Sequence, residues 1–153
     1  MDERSVSDVA LIYVSVSNLR LPHEAEEVDR IVDWSLVRNA ELGVTGALIF
    51  TEKRFAQYLE GPAAGVDALM ASIAGDPRHR ALDVVFRRPI EERRFATWAL
   101  AYAGPSTFVS GHVLTLAEAK GEAARLKHAD RLTDVMQQFV QAQLAEQRRQ
   151  RGG

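Results

Sequence analysis

The chain has 153 residues and a mass of 17.0 kDa, enough for one domain with a substantial core. Its 46% hydrophobic and 26% charged residues exclude the disordered and fibrous classes, and a formal net charge of −2 provides no global basic field for nucleic acid. It contains no cysteine, which excludes a disulfide framework, a thiolate metal site and a cysteine nucleophile. The opening MDERSVSD lacks the apolar core of a signal peptide, and no apolar run approaches the roughly 20 residues that span a bilayer, so a cytoplasmic protein without membrane contact is expected.

Val9 to Ser15 (VALIYVS) is a strand with Val9, Leu11, Tyr13 and Ser15 on one face and Ala10, Ile12 and Val14 on the other. Both faces are largely apolar, as in a central strand covered on both sides. A loop over 17–22 leads to a helix from His23 to Leu42, whose inner stripe is Val28, Ile31, Val32, Ser35, Asn39 and Leu42, with Gly43 as its C-terminal cap. Asn39 is either a capping residue or an amide aimed into the interior, and Arg38 flanks the stripe at its rim.

A hairpin follows, with strands at Ala47–Phe50 and Phe55–Glu60 around the polar break Thr51–Arg54. Phe55, Gln57 and Leu59 share one face of the second strand, opposite Ala56, Tyr58 and Glu60. Gln57 is the odd residue, because a carboxamide on an apolar face needs partners at both ends or its burial costs a few kcal/mol. It belongs either to an edge strand open to water or to a polar ligand held against the sheet.

Ala63–Ala74 is a second amphipathic helix with Val66, Leu69, Met70 and Ile73 inward, stopped by Gly75 and Asp76-Pro77. The cluster Arg78-His79-Arg80 reads as a solvated turn or as an anion site for a phosphate or carboxylate. A fourth strand is predicted over Leu82–Arg87, a polar connection over Pro89–Arg94, and a fifth strand over Phe95–Ala103 with Trp98, Leu100 and Tyr102 on one face. This βαββαββ order predicts an α+β, ferredoxin-like plait with a five-stranded mixed sheet and both helices on one face.

The expected division is a domain over 1–104 and a helical extension over 105–153. In the extension, Leu114–Lys127 is helical by composition. Asp130–Gln147 is amphipathic, with Leu132, Val135, Met136, Phe139, Val140 and Leu144 on one side. Such a helix covers the bare sheet face or pairs with another subunit. Arg148 to Gly153 reads as a frayed basic tail.

Five pieces in order, LIYVS (11–15), RNAELGVTGALIF (38–50), RFAQYLEGP (54–62), DPRHR (76–80) and PIEERRFATWAL (89–100), resemble the BLUF family of flavin-binding blue-light sensor domains, in its short stand-alone form. The resemblance implies a non-covalent flavin, FAD in cells with FMN or riboflavin as substitutes, lying between the two helices. It matches Tyr13 to the photoactive tyrosine, Gln57 to the glutamine that bridges it to the flavin, and Asn39 to the asparagine on the ring's carbonyl and N3 edge. Trp98 joins Tyr13 and Gln57 in the photoactive group.

Ile31, Phe55 and Ile73 match apolar positions around the ring, while Asp76, Arg78 and His79 fall near the ribityl and phosphate end. Arg38 stands where a small or polar ring-side residue is common, and Leu100 where many members carry a methionine. The resemblance further implies signalling without enzymatic activity, through an unidentified downstream protein acting in trans, with a homodimer or higher oligomer expected. Two other readings use the same plait: a flavin-free interaction module, and a small enzyme using Arg38 and Asn39 as acylphosphatase-type sites do. Against the enzyme, no phosphate-cradling glycine loop precedes the first helix.

Overall fold

The computed structural model describes residues 8–152, so the charged segment 1–7 and Gly153 lie outside the described residues. In chain order the elements are β1 (Asp8–Ser17), α1 (Glu26–Leu42), β2 (Thr45–Phe50), β3 (Arg54–Pro62), α2 (Ala63–Ala74), β4 (His79–Ile90), β5 (Trp98–Ala103), α3 (Thr107–Glu118) and α4 (Glu122–Gly152). The sheet order is β4-β1-β3-β2-β5, antiparallel throughout except for the parallel β2–β5 pair. This is the ferredoxin-like α+β plait with β5 added beside β2.

The period-2 alternation of β1 and β3 sends side chains into two separate cores. Val9, Leu11, Tyr13, Phe55 and Leu59 pack with α1 and α2 on one sheet face. Ala10, Ile12, Val14, Ala56 and Tyr58 pack on the other, against Val109 and Val113 of α3 and Leu132 and Met136 of α4. The C-terminal helices therefore cover the second face of the sheet.

Two glycines shape the entry to the hairpin. Gly43 ends α1 in the left-handed region at φ 69°. At Gly46 a β-carbon would sit 1.9 Å from the Tyr58 carbonyl oxygen, so only glycine lets β2 approach β3 there.

Several boundaries differ from those read in the sequence. α1 begins at Glu26, because residues 21–25 form a turn closed by Glu24 N–H on the Arg20 carbonyl. β4 extends to His79–Ile90 and takes in two residues of the expected basic turn, because an edge strand that pairs only with β1 tolerates charged residues and a proline. β5 begins at Trp98, not Phe95, because the buried Glu60 carboxylate holds the backbone N–H groups of Arg94 and Phe95 in a loop.

A register shift in the β2–β5 pair turns Tyr102 away from the face of Trp98 and Leu100. It packs instead beside Phe139 of α4, with ring centroids 5.4 Å apart. The expected helix over 114–127 is broken at Ala119–Gly121, where Gly121 adopts φ 88°. α4 runs on through the expected tail to Gly152, consistent with good helix formers and arginines in the last turn. Leu144 leaves the buried stripe and is 40% exposed.

Candidate functional site

β3 lies between β1 and β2, so Gln57 is not on an edge. It stands directly opposite Tyr13 on one side and Leu48 on the other, and it is 5% exposed. Its Nε2 donates to Tyr13 Oη at 2.7 Å, and its Oε1 accepts from Trp98 Nε1 at 2.9 Å. The orientation follows from chemistry, since an indole N–H can only donate and must face the amide oxygen. Tyr13, Gln57 and Trp98 thus form a buried relay across four strands, with β2 bridging β3 to β5.

Burial, partly opposed by the Gln57 hydrogen bond, raises the Tyr13 phenol above its usual pKa, so it is protonated at neutral pH. Accepting from Gln57 leaves the hydroxyl proton free to be donated elsewhere.

The relay borders a pocket between the sheet and the two helices, with about 520 Å³ of non-atom space including its solvent mouth. Tyr13, Leu48 and Gln57 line its sheet side, Ile31, Ser35 and Asn39 come from α1, and Leu69 and Ile73 come from α2. Phe55 and, from the α2–β4 side, Asp76, Arg78 and His79 complete it, with Trp34 of α1 at the rim. Asn39 is 2% exposed, and its Oδ1 is buried without a partner among the described residues. Its backbone carbonyl, not its side chain, accepts the capping N–H of Val44 at 2.9 Å. The side chain is therefore free to serve the pocket.

His79 is pinned at both nitrogens, 2.7 Å from Ser15 Oγ and 2.6 Å from the Ile73 carbonyl. A carbonyl only accepts, so Nε2 carries the proton and Nδ1 accepts from Ser15 in the neutral ring. Arg78 grips Asp76 with two nitrogens, Nε to Oδ1 at 3.0 Å and Nη2 to Oδ2 at 2.7 Å. Burial alone would raise the Asp76 carboxyl, but the Arg78 hydrogen bonds and charge outweigh it and hold the group below its ordinary range. Arg80 turns away to Asn18 and the Ser17 carbonyl, and Arg38 pairs with Glu41 at 3.6 Å without lining the pocket.

Trp34 and Leu48 line the pocket but were not among the residues singled out from the sequence. Leu48 is legible from its place opposite Gln57 once the hairpin register is known. Trp34 lies off the inner stripe of α1, and only the packing of the helix on the sheet brings it to the rim.

Behind the sheet, Glu60 is fully buried and accepts from Arg94 N–H at 2.9 Å, Phe95 N–H at 2.7 Å and Thr45 Oγ1 at 3.2 Å. Burial and the Glu60 charge push the Tyr58 phenol up to about 12. Arg94 reaches Asp134 of α4 at 2.6 Å, and Gln137 Nε2 donates to the Arg94 carbonyl at 3.0 Å. Further along α4, Gln143 Nε2 donates to the carbonyls of Leu100 and Ala101 at 2.9 and 3.1 Å, where β5 shifts register. Both ends of the segment that carries Trp98 are therefore tied to α4.

The BLUF family, described as "Sensors of blue-light using FAD", matches residues 9–101. Similar curated proteins include the photoactivated adenylate cyclase subunit beta of Euglena longa, 35% identical over 89 residues, covering 58% of this chain and 10% of that protein. The subunit alpha of Euglena gracilis is 32% identical over 88 residues, covering 58% of this chain and 9% of that one. The matched region thus spans about a tenth of these relatives.

Among solved structures, the dark state of the BLUF protein BlrB aligns with TM-score 0.65 at 29% identity, covering 84% of this chain and 97% of that one. The photo-activated state of BlsA shares the fold, with TM-score 0.69 at 21% identity over 85% of this chain and 94% of that one. With the family match covering more than half of its residues and the plait in common, the chain belongs to the BLUF family of blue-light sensors.

Proposed function

We propose that this chain is a blue-light photoreceptor that holds FAD non-covalently between α1, α2 and the sheet, and that its output is a change in protein contacts, not catalysis. The observation that carries this reading is the buried Tyr13–Gln57–Trp98 relay beside a pocket with one unpartnered amide oxygen, Asn39 Oδ1. The residues fit a flavin: Ile31, Phe55 and Ile73 supply apolar walls, and Asn39 offers a donor and an acceptor to the carbonyl and N–H edge of the ring. Asp76, Arg78 and His79 stand at the end suited to the ribityl chain and phosphate.

On absorbing blue light, a bound flavin supplies an oxidant strong enough to draw an electron from a phenol. Tyr13 is the phenol beside the pocket, and its acidity rises when an electron leaves. Gln57 presents its Nε2 donor to Tyr13 and its Oε1 acceptor to Trp98, so the Oη proton could reach Oε1 only if the amide turned over. It then settles into a second hydrogen-bonded form by rotation or tautomerisation. Rotation would turn Nε2 toward Trp98 Nε1, setting two donors against each other, so the indole would lose its partner. Trp98 heads β5, whose carbonyls at 100 and 101 are held by Gln143, and this makes α4 the element suited to report the change. A downstream protein, or a second copy in a homodimer or higher oligomer, would read it in the cytoplasm. Among the described residues no helix is long and apolar enough to cross a membrane.

The test is a dark-versus-light absorption spectrum of the purified protein. Flavin bands with a reversible red shift under blue light are expected. A colourless protein that cannot be reconstituted with FAD, FMN or riboflavin overturns the reading. Hydrogen exchange around 98–140 that is identical in dark and light would sink the proposed output.

A further inference from the structure

The sheet separates α1 from α4: α1 packs on the face of Tyr13, and α4 packs on the other. Val140 is the last buried residue of α4, and Gln143 makes its last hydrogen bonds to the sheet among the described residues. Residues 144–152 continue as helix for about 13 Å, at 1.5 Å per residue. Their side chains make one ion pair among the described residues, Arg149 to Glu146 within the helix itself. Leu144 follows Val140 by one turn and is 40% exposed, and Arg148 and Arg151 continue its side at i+4 and i+7. A helical end without tertiary packing is marginal in water, so this one gains from a surface that covers Leu144.

The outer side of α1 carries a matching stripe. Asp29, Asp33, Leu36, Val37 and Ala40 recur at helical spacing and are all exposed, Leu36 at 49% and Val37 at 63%. Arg30 pairs with Glu26 and Glu27, and Arg38 pairs with Glu41, which leaves Asp29 and Asp33 without an ion pair among the described residues. Leu36 and Ala40 also line a groove with about 690 Å³ of non-atom space including solvent, and Trp98 forms part of its wall. From Leu36 toward its N-terminus α1 is apolar and then acidic, while from Leu144 toward its C-terminus α4 is apolar and then basic. The two stripes match when the helices run antiparallel, which also sets the negative end of the α4 dipole beside the positive end of α1. A continuous helix on one face of the sheet cannot lie along α1 on the other face of the same molecule, so the acceptor belongs to a second copy.

We propose that the α4 tail of one copy docks antiparallel on α1 of another, with Leu144 on Leu36 and Val37, Arg148 beside Asp33 and Arg151 beside Asp29. Reciprocal exchange of two tails about a two-fold axis closes a dimer. It joins the helix that lines the pocket in one copy to the helix tied to β5 in the other. The exchange needs no flavin, so it stands or falls apart from the reading above.

The test is sedimentation equilibrium of the full chain in the dark, at concentrations up to about 1 mM, where even a weak contact is populated. A dimer of the 17.0 kDa chain is expected. Leu144→Ser and Val37→Ser, both at exposed positions, should each raise its dissociation constant about tenfold or more, since each dimer loses the contact twice. Asp33→Arg and Arg148→Asp should each weaken it about fivefold by setting like charges together. The double variant Asp33→Arg with Arg148→Asp restores opposite charges and should recover most of the affinity, which misfolding would not do. A monomer at every concentration, a dimer that all four single substitutions leave intact, or a double variant no tighter than the single ones overturns the exchange. A monomer that still shows the reversible red shift does so while leaving the flavin reading intact.

Discussion

Replacing Gln57 with leucine tests the relay most directly. Leucine keeps the apolar volume and removes both polar ends of the amide. The amide makes two hydrogen bonds, at 2.7 Å to Tyr13 and 2.9 Å from Trp98. The three residues are 3 to 5% exposed, so water cannot readily replace the lost partners. An orphaned buried donor costs about 1–3 kcal/mol, and the Trp98 N–H becomes one. The Tyr13 oxygen loses only a donor, and removing a buried carboxamide offsets part of the total. The net loss should be about 1–3 kcal/mol, or roughly 2–10 °C in Tm for a chain of this size. Thermal unfolding in the dark reads the stability, and the dark-minus-light spectrum reads the switch. Flavin should be retained and the red shift abolished. Trp98→Phe breaks one of the same bonds, so the double variant should lose about 1 kcal/mol less than the sum of the single ones. A persisting red shift in Gln57→Leu would refute Gln57 as the switch, and additive losses would refute the coupling to Trp98.

Three further expectations follow from the face of the sheet that α3 and α4 cover. Glu60→Gln turns an amide N–H₂ toward the Arg94 and Phe95 N–H groups that the carboxylate now accepts, and should cost about 2–4 kcal/mol; an unchanged Tm at neutral pH counts against it. Gln143→Leu should shrink the light-minus-dark difference in hydrogen exchange along α4 while leaving that of β5; an unaltered α4 difference removes Gln143 from the route. Tyr58 has its folded pKa raised to about 12 from an ordinary 10, so its contribution is full below pH 10 and is lost as pH rises toward 12. Tyr58→Phe should therefore flatten the fall of the urea midpoint between pH 10 and 12, and parallel slopes for the two proteins contradict this.

The plait is legible in the sequence because its inner elements follow simple periods. β1 and β3 alternate, α1 and α2 repeat at helical spacing, and Gly43 and Gly75 punctuate them. Legibility fails where a tertiary partner overrides the local pattern. Phe95 looks like strand, but its N–H is taken by Glu60, a residue 35 positions away. Tyr102 looks as if it shares the face of Trp98, but the register shift in β5 sends it to Phe139. The edge strand β4 hides its two ends, beyond the Leu82–Arg87 stretch read as strand, because its outer side needs no apolar pattern. Of the site, Tyr13 and Gln57 stand out as polar groups on apolar faces. Trp34 does not, because it lies off the inner stripe of α1 and only the packing of that helix on the sheet brings it to the pocket.

The two buried polar side chains of β3 act on opposite faces of one strand. Gln57 holds Trp98 at the head of β5, and three residues later Glu60 holds the backbone just before it, at Arg94 and Phe95. A carboxylate that accepts from several donors at once makes that loop costly to move. If Gln57 releases Trp98, the loop on the N-terminal side of β5 is therefore poorly placed to absorb the displacement. The C-terminal side is softer: β5 is an edge strand, its pairing with β2 is already irregular after Leu100, and its carbonyls there are held by one neutral side chain, Gln143. On the proposed reading, a charged, multiply bonded anchor on one side and a single amide on the other would let the strand yield at its C-terminal side, where Gln143 of α4 holds it.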